Sequence, residues 1–201
     1  MMDSFSNSFI NESVKVLQSV SVTDIEALAQ QLKKIKSQSG RLFILGVGGS
    51  AGHASHAVND FRKICGIESY APTDNVSELT ARTNDEGWDT TFSEWLKVSN
   101  LNSKDGILIF SVGGGNAEKN VSMNLVKAID LAKKAGSTIL GIVGKDGGHT
   151  KKSATACVVI PPLFSDHITP HTEGLAAVVW HLLVSHPAIK AHQTKWESTV
   201  K

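Results

Sequence analysis

The stretch RLFILGVGGSAGHASHAVNDFRKIC, residues 41–65, decides the fold. Its first part, RLFILGV (41–47), is a compact apolar run of strand length. Glycines follow. Beyond them Ala51, Ala54, Ala57 and Val58 mark a helix running to about Cys65. A strand that passes through a glycine turn into a helix is the repeating unit of a parallel α/β sheet.

The same alternation continues outward. Residues 105–112, 138–144 and 155–162 are further apolar strands, and IESYAP is a short one. Helices are expected from about Val76, through DTTFSEWLKVSNL, and along NAEKNVSMNLVKAIDLAKKAGS, with Val121, Leu125, Ala128, Ile129 and Ala132 on one side. A last helix fills roughly 170–197, with Pro170 in its first turn and Pro187 as a break. Two helices precede any strand, over 6–20 and 21–40. The second is capped by Thr23 or Asp24 and carries an apolar stripe of Ile25, Leu28, Leu32 and Ile35. The organisation is one domain over 1–201: a helical arm (1–38) ahead of a three-layer αβα core (39–197) with a parallel sheet covered on both faces.

Composition narrows the partners. The chain has 201 residues, 41% of them hydrophobic, and a net charge of +1 without a basic block, so neither a nucleic-acid footprint nor a membrane span is visible. MMDSFSNSFINES has no secretion signature, and two distant cysteines, Cys65 and Cys157, read as reduced thiols, so a cytoplasmic protein is expected. Cys157 in ACVVI reads as a buried strand residue.

Ligands of parallel sheets bind beyond the carboxyl ends of the strands. Two glycine turns lie there, GVGGSAG and SVGGGN. Glycine allows backbone N–H groups to approach an anion, the following helix N-terminus favours negative charge, and Ser50 offers a hydroxyl. Gly46, Gly48 and Ala51 also fit G-x-G-x-x-A, with Glu68 as a ribose-binding acid, a dinucleotide pattern that leaves the second turn unexplained. No Walker motif is present. The third cluster, GKDGGHT (144–150), with Lys145 and His149, reads as a surface turn.

His56 and Asp60 are four residues apart and share a helix face. Such a pair holds a metal ion, moves protons, or simply forms a solvated pair. His53 reads as polar surface. His181 lies inside LAAVVWHLL, where position alone leaves a core residue and a site residue both open, and Glu173 follows Pro170 closely. His167, His171, His186 and His192 read as loop, cap or surface residues.

GVGGSAGHASHAVND, TNDEGW, SVGGGN, GKDGG and TEGLAAVVWH occur in the order found in the sugar isomerase (SIS) domain family. From about residue 10 to 195 the chain resembles that family's heptose-phosphate isomerases. The resemblance implies a flavodoxin-like sandwich with extra N-terminal helices, a homotetramer with sites at subunit interfaces, and often zinc. It also implies interconversion of sedoheptulose 7-phosphate and D-glycero-D-manno-heptose 7-phosphate, a step toward lipopolysaccharide, capsule or related glycans. Carried over by position, Val47, Gly48, Gly49 and Ser50 would line the substrate together with Asn84 and Asp85. Ser111, Val112 and Gly113 would form the phosphate loop, extended by Gly114, Gly115 and Asn116, with Asn120 or Ser122 beside it. His56, Asp60, Glu173 and His181 would hold zinc. Asp60 and His181 would be the base and acid of a cis-enediol isomerisation, in an order left open.

The chain departs from the family pattern at four places. Val47 replaces asparagine, Asp60 glutamate and Glu173 glutamine, and the phosphate loop loses two hydroxyls and gains glycines plus an insertion near NAEK. Glu173 and His181 are eight residues apart, about 12 Å along a straight helix, so both would have to lean inward to meet one ion. The alternative is a SIS protein that binds a sugar phosphate or a protein partner without catalysis.

Overall fold

The computed structural model describes residues 4–199. Helices α1 (Phe5–Gln18) and α2 (Val22–Ser37) come first, then β1 (Leu42–Leu45), α3 (Gly49–Lys63) and β2 (Ser69–Tyr70). Next are α4 (Val76–Glu86), α5 (Thr91–Val98), β3 (Gly106–Ser111), α6 (Met123–Ala135) and β4 (Thr138–Val143). The chain continues through α7 (Gly148–Ser153), β5 (Ala156–Val159), α8 (Ile168–Ser185) and α9 (Lys195–Thr199).

The five strands form one parallel sheet in the order β2-β1-β3-β4-β5. Side chains alternate across it. Leu42 and Ile44 of β1 join Leu108, Phe110, Leu140 and Ile142 under α2, α3 and α8. Phe43 and Leu45 join Ile107, Ile109 and Ile139 under α5 and α6. Two apolar layers on one sheet make the three-layer sandwich, and the strand order reverses direction between β1 and β3. That switch point opens a crevice at the carboxyl ends of both strands.

The opposite end of the same two strands is clamped by charge. Asp105, 2% exposed, accepts from the Arg41 backbone N–H (2.9 Å), from Arg41 Nη2 (2.7 Å) and from Asn102 Nδ2 (2.9 Å). Asp105 in turn holds the Arg41 guanidinium above its ordinary pKa.

Several sequence expectations shift. Ser21, not Thr23 or Asp24, caps α2, its hydroxyl accepting the Asp24 N–H. The helix expected along 116–137 starts only at Met123. Asn116 and Val121 instead close a small hairpin with bonds of 2.9 Å in both directions, and Asn120 and Ser122 take left-handed φ angles. GKDGGHT is no plain surface turn. Gly147 and Gly148 start α7, and Thr150 is buried, with its N–H and hydroxyl both donating to the Gly114 carbonyl. The helix expected over 170–197 runs from Ile168 and stops at Ser185, two residues ahead of Pro187, with the short α9 separate from it. Cys157 is only half-buried, and burial pushes its thiol up to about 12. Among the described residues no helix is long and apolar enough to cross a membrane.

Candidate active site

The turn after β1 explains the first glycines. A Cβ on Gly46 would fall on the Ser50 carbonyl, so only glycine lets the chain double back into α3. Gly48 takes a φ of 61°. A Cβ on Gly49 would come 2.7 Å from Glu173 Oε1, so the bare backbone there makes room for the α8 carboxylate. Ser50 is 6% exposed and lies at the start of α3.

A cavity of about 230 Å³ opens at the switch point. Val47, Ser50, Ser111, Gly113, Ser122 and Glu173 line it. Three hydroxyls and one carboxylate therefore meet over the strand ends. The Ser111 hydroxyl already accepts the Gly114 N–H at 3.0 Å, so Gly114 N–H is spent inside the loop rather than offered to an anion. Asn116 turns away from this cavity. Its Oδ1 accepts the Lys119 N–H, and it lines a neighbouring cavity of about 580 Å³ together with Lys119 and Lys145. Gly113 borders both cavities.

α3 and α8 pack against each other and bring His56, Asp60 and His181 together. Their ligating atoms lie within 4.8 Å of one another. Asp60 Oδ2 is 3.7 Å from His56 Nε2 and 3.9 Å from His181 Nε2. These gaps are too wide for hydrogen bonds and leave room for an atom between the three groups. The other Asp60 oxygen accepts from Asn59 Nδ2 at 2.8 Å. His181 Nδ1 lies 2.7 Å from the Ala177 carbonyl, which only accepts. Nδ1 therefore carries a proton, and in the neutral ring Nε2 presents a lone pair toward Asp60. Buried Trp180 holds both rings, stacked on His181 at 3.6 Å and edge-on to His56 at 4.8 Å.

His181 is no core residue: its side chain is 50% exposed. Glu173 is not brought to the three groups. It stands two turns earlier on α8, over Gly49. Asn84 and Asp85 do not reach the cavity either. They lie exposed on α4 and bond to each other at 2.8 Å.

Sequence reasoning missed a second group. Glu12 Oε2 lies 2.7 Å from His167 Nδ1 and 3.0 Å from His171 Nε2. His171 is not a surface residue but 4% exposed. The contact with His171, then that with His167, holds the Glu12 carboxyl below the usual carboxylate range. The four-residue spacing of the two histidines was the available signal; the partner on α1 had none.

Residues 7–144 match the family model described as SIS domain. The match takes in His56, Asp60 and the Ser111–Asn116 loop, and ends before Glu173 and His181. Over 170 residues the chain is 32% identical to a phosphoheptose isomerase of Nitratiruptor sp., covering 82% of this chain and 81% of that one. It is also 32% identical over 174 residues to the lincomycin biosynthesis protein LmbN of Streptomyces lincolnensis, covering 82% of this chain but only 60% of that longer one. Among solved structures, the phosphoheptose isomerase of Neisseria gonorrhoeae superposes with a TM-score of 0.77 at 20% identity, over 89% of this chain and 94% of that one.

Proposed function

The chain belongs to the SIS domain family, and we propose that it is a sugar-phosphate aldose–ketose isomerase that converts D-sedoheptulose 7-phosphate to D-glycero-D-manno-heptose 7-phosphate. The observation that carries this reading is the open group of His56, Asp60 and His181 beside a hydroxyl-lined cavity at the switch point. The likeness to phosphoheptose isomerases over most of both chains supports the substrate class.

In this reading the phosphate rests on the Ser50, Ser111 and Ser122 hydroxyls, where the N-termini of α3 and α6 favour negative charge. Glu173 has no ion pair or side-chain hydrogen bond among the described residues, and a carboxylate repels phosphate. It therefore receives sugar hydroxyls. Asp60 Oδ2 takes the proton from the carbon beside the carbonyl and returns it to the former carbonyl carbon of the enediol. His181 Nε2, whose tautomer the Ala177 carbonyl fixes, moves the proton between the two sugar oxygens of the enediol.

Two imidazole nitrogens and one carboxylate oxygen around a gap are a zinc donor set, so His56, Asp60 and His181 fit zinc as placed. Bound there, zinc would take up the His181 Nε2 lone pair and polarise the hydroxyl and carbonyl oxygens as a Lewis acid in place of the imidazole relay, so the two roles of His181 are alternatives that chelation separates. Glu173 belongs to the cavity rather than to this set.

We assign the working form to a homotetramer. Apolar Ile10, Val14 and Leu17 form an exposed stripe on α1, and Val178 and Leu182 another on α8 beside His181. Sedoheptulose 7-phosphate is incubated with the purified protein, and the aldose product is followed by NMR after chelation and after zinc is restored. Product that vanishes and returns is expected. No product from this sugar in either state, with turnover of another sugar phosphate, would overturn the substrate assignment.

A further inference from the structure

The Glu12 group lies at the far end of α8 from His181 and takes no part in the reaction proposed above. His167 precedes α8 directly, His171 follows within its first turn, and Glu12 reaches across from α1. We propose that Glu12, His167 and His171 form a second site for a divalent transition-metal ion of the zinc class, which fastens α1 to the start of α8.

The protons decide the argument. The Ser13 hydroxyl donates to the Phe9 carbonyl at 2.9 Å, so its one proton is used. Its oxygen lies 3.3 Å from His171 Nδ1 and is left to accept from it. With Nδ1 protonated, the neutral His171 ring turns a lone pair from Nε2 onto the Glu12 carboxylate at 3.0 Å. Lone pair against carboxylate is repulsive unless a cation stands between them, either an extra proton or a metal ion. The Ser13 contact is the outer partner that a metal-bound imidazole needs on its second nitrogen.

The surroundings favour the ion. Phe9 and Phe164 pack on His171 with ring centroids at 4.7 and 6.1 Å, which keeps competing water away from a ring 4% exposed. A cavity of about 230 Å³ bordered by Glu12, Phe164, Asp166 and His167 gives a way in and space for a fourth, water ligand. The ligating atoms already lie within 4.8 Å of one another. Glu12 and His167, whose side chains are 21% and 27% exposed, are free to open from hydrogen-bond spacing around metal–ligand bonds of about 2.0–2.2 Å. Two nitrogens and one oxygen suit zinc, cobalt or nickel, and not calcium or magnesium.

The test is a count of ions. The full chain is stripped with chelator, dialysed to equilibrium against micromolar zinc and analysed for metal per chain, with circular dichroism as the check on folding. Two ions are expected in the unaltered protein, one in His167→Ala, one in Glu12→Gln and one in His56→Ala. Zinc should raise the Tm of His56→Ala and leave that of the His167→Ala/His56→Ala double variant unmoved. Retention of two ions by folded His167→Ala would overturn the proposal, as would one ion in the unaltered protein that His56→Ala alone removes. One ion kept by His56→Ala and removed by His167→Ala would support this site while defeating the zinc reading of the other group.

Discussion

At the start of α8 one carboxylate oxygen lies 2.7 and 3.0 Å from two imidazoles; near its end another lies 3.7 and 3.9 Å from two more. The residue types are nearly the same. The difference lies in what surrounds them. Around Glu12, phenyl rings pack on the histidines and Ser13 meets the outer nitrogen of His171, so the three groups close on one another. Around Asp60 the histidine side chains are 57% and 50% exposed, while Asn59, Ala177 and Trp180 fix orientations without filling the middle. Closed contact holds elements together, whereas an oriented gap leaves a place for a reacting atom.

The largest effect should come from the open group. Asp60→Asn keeps the shape and removes the base, so kcat should fall by about 10²–10⁴. Because Asp60 makes no close ion pair, the unfolding free energy should stay within about 0.5 kcal/mol. Turnover by NMR and urea unfolding on the same samples read both quantities. Full activity in Asp60→Asn would break the assignment. The closed group should behave in reverse. His171→Ala strips a buried partner from both Glu12 and Ser13, and the loss of stability should be about 1–3 kcal/mol. An unchanged urea midpoint would show that the contact carries no weight.

This contrast also marks what the sequence disclosed. The fold was legible because β1, β3 and β4 are short apolar runs between helical patterns, and Leu28, Leu32 and Ile35 repeat at helical spacing. The 116–122 hairpin was not legible, since Val121 fits the helical stripe of α6 and only tertiary pairing with Asn116 pulls it out. His56 and Asp60 were legible through their spacing on α3. His181 was ambiguous because α8 is apolar nearly all round, and an exposed histidine in such a run looks like a core one. Glu12 was invisible because its partners lie 155 and 159 residues away. Glu173 was joined to His56, Asp60 and His181 by the resemblance alone: eight residues of helix separate it from His181, and its carboxylate ends over Gly49.

Acid should weaken the closed group. The two histidines hold the Glu12 carboxyl below its ordinary value. A carboxylate lowered in the folded state contributes its stability in full above the unfolded pKa, near 4.3, and loses it as pH falls through the folded pKa. The Tm difference between the unaltered chain and Glu12→Gln should therefore shrink as pH falls below about 4. A difference that persists unchanged at lower pH, where the carboxyl is protonated, would remove the carboxylate from the account.

The smallest effect tests the proton placement on which both groups depend. Ser13→Ala removes the acceptor for His171 Nδ1 without touching Glu12, and should cost about 0.5–1.5 kcal/mol, the range of one hydrogen bond. If Ser13 fixes the tautomer, its value depends on Glu12 at the other nitrogen. The Ser13→Ala and Glu12→Gln losses should then fail to add, with a coupling of about 0.5 kcal/mol or more in a double-mutant cycle. Strict additivity would mean that Ser13 merely satisfies the Phe9 carbonyl, and His171 would be free to turn its other nitrogen toward the carboxylate. At His181 no side chain can be removed for the same test, because the acceptor is the Ala177 backbone carbonyl. The comparison then reaches its physical limit: the closed group holds its proton by a residue that mutation can delete, the open one by the helix itself.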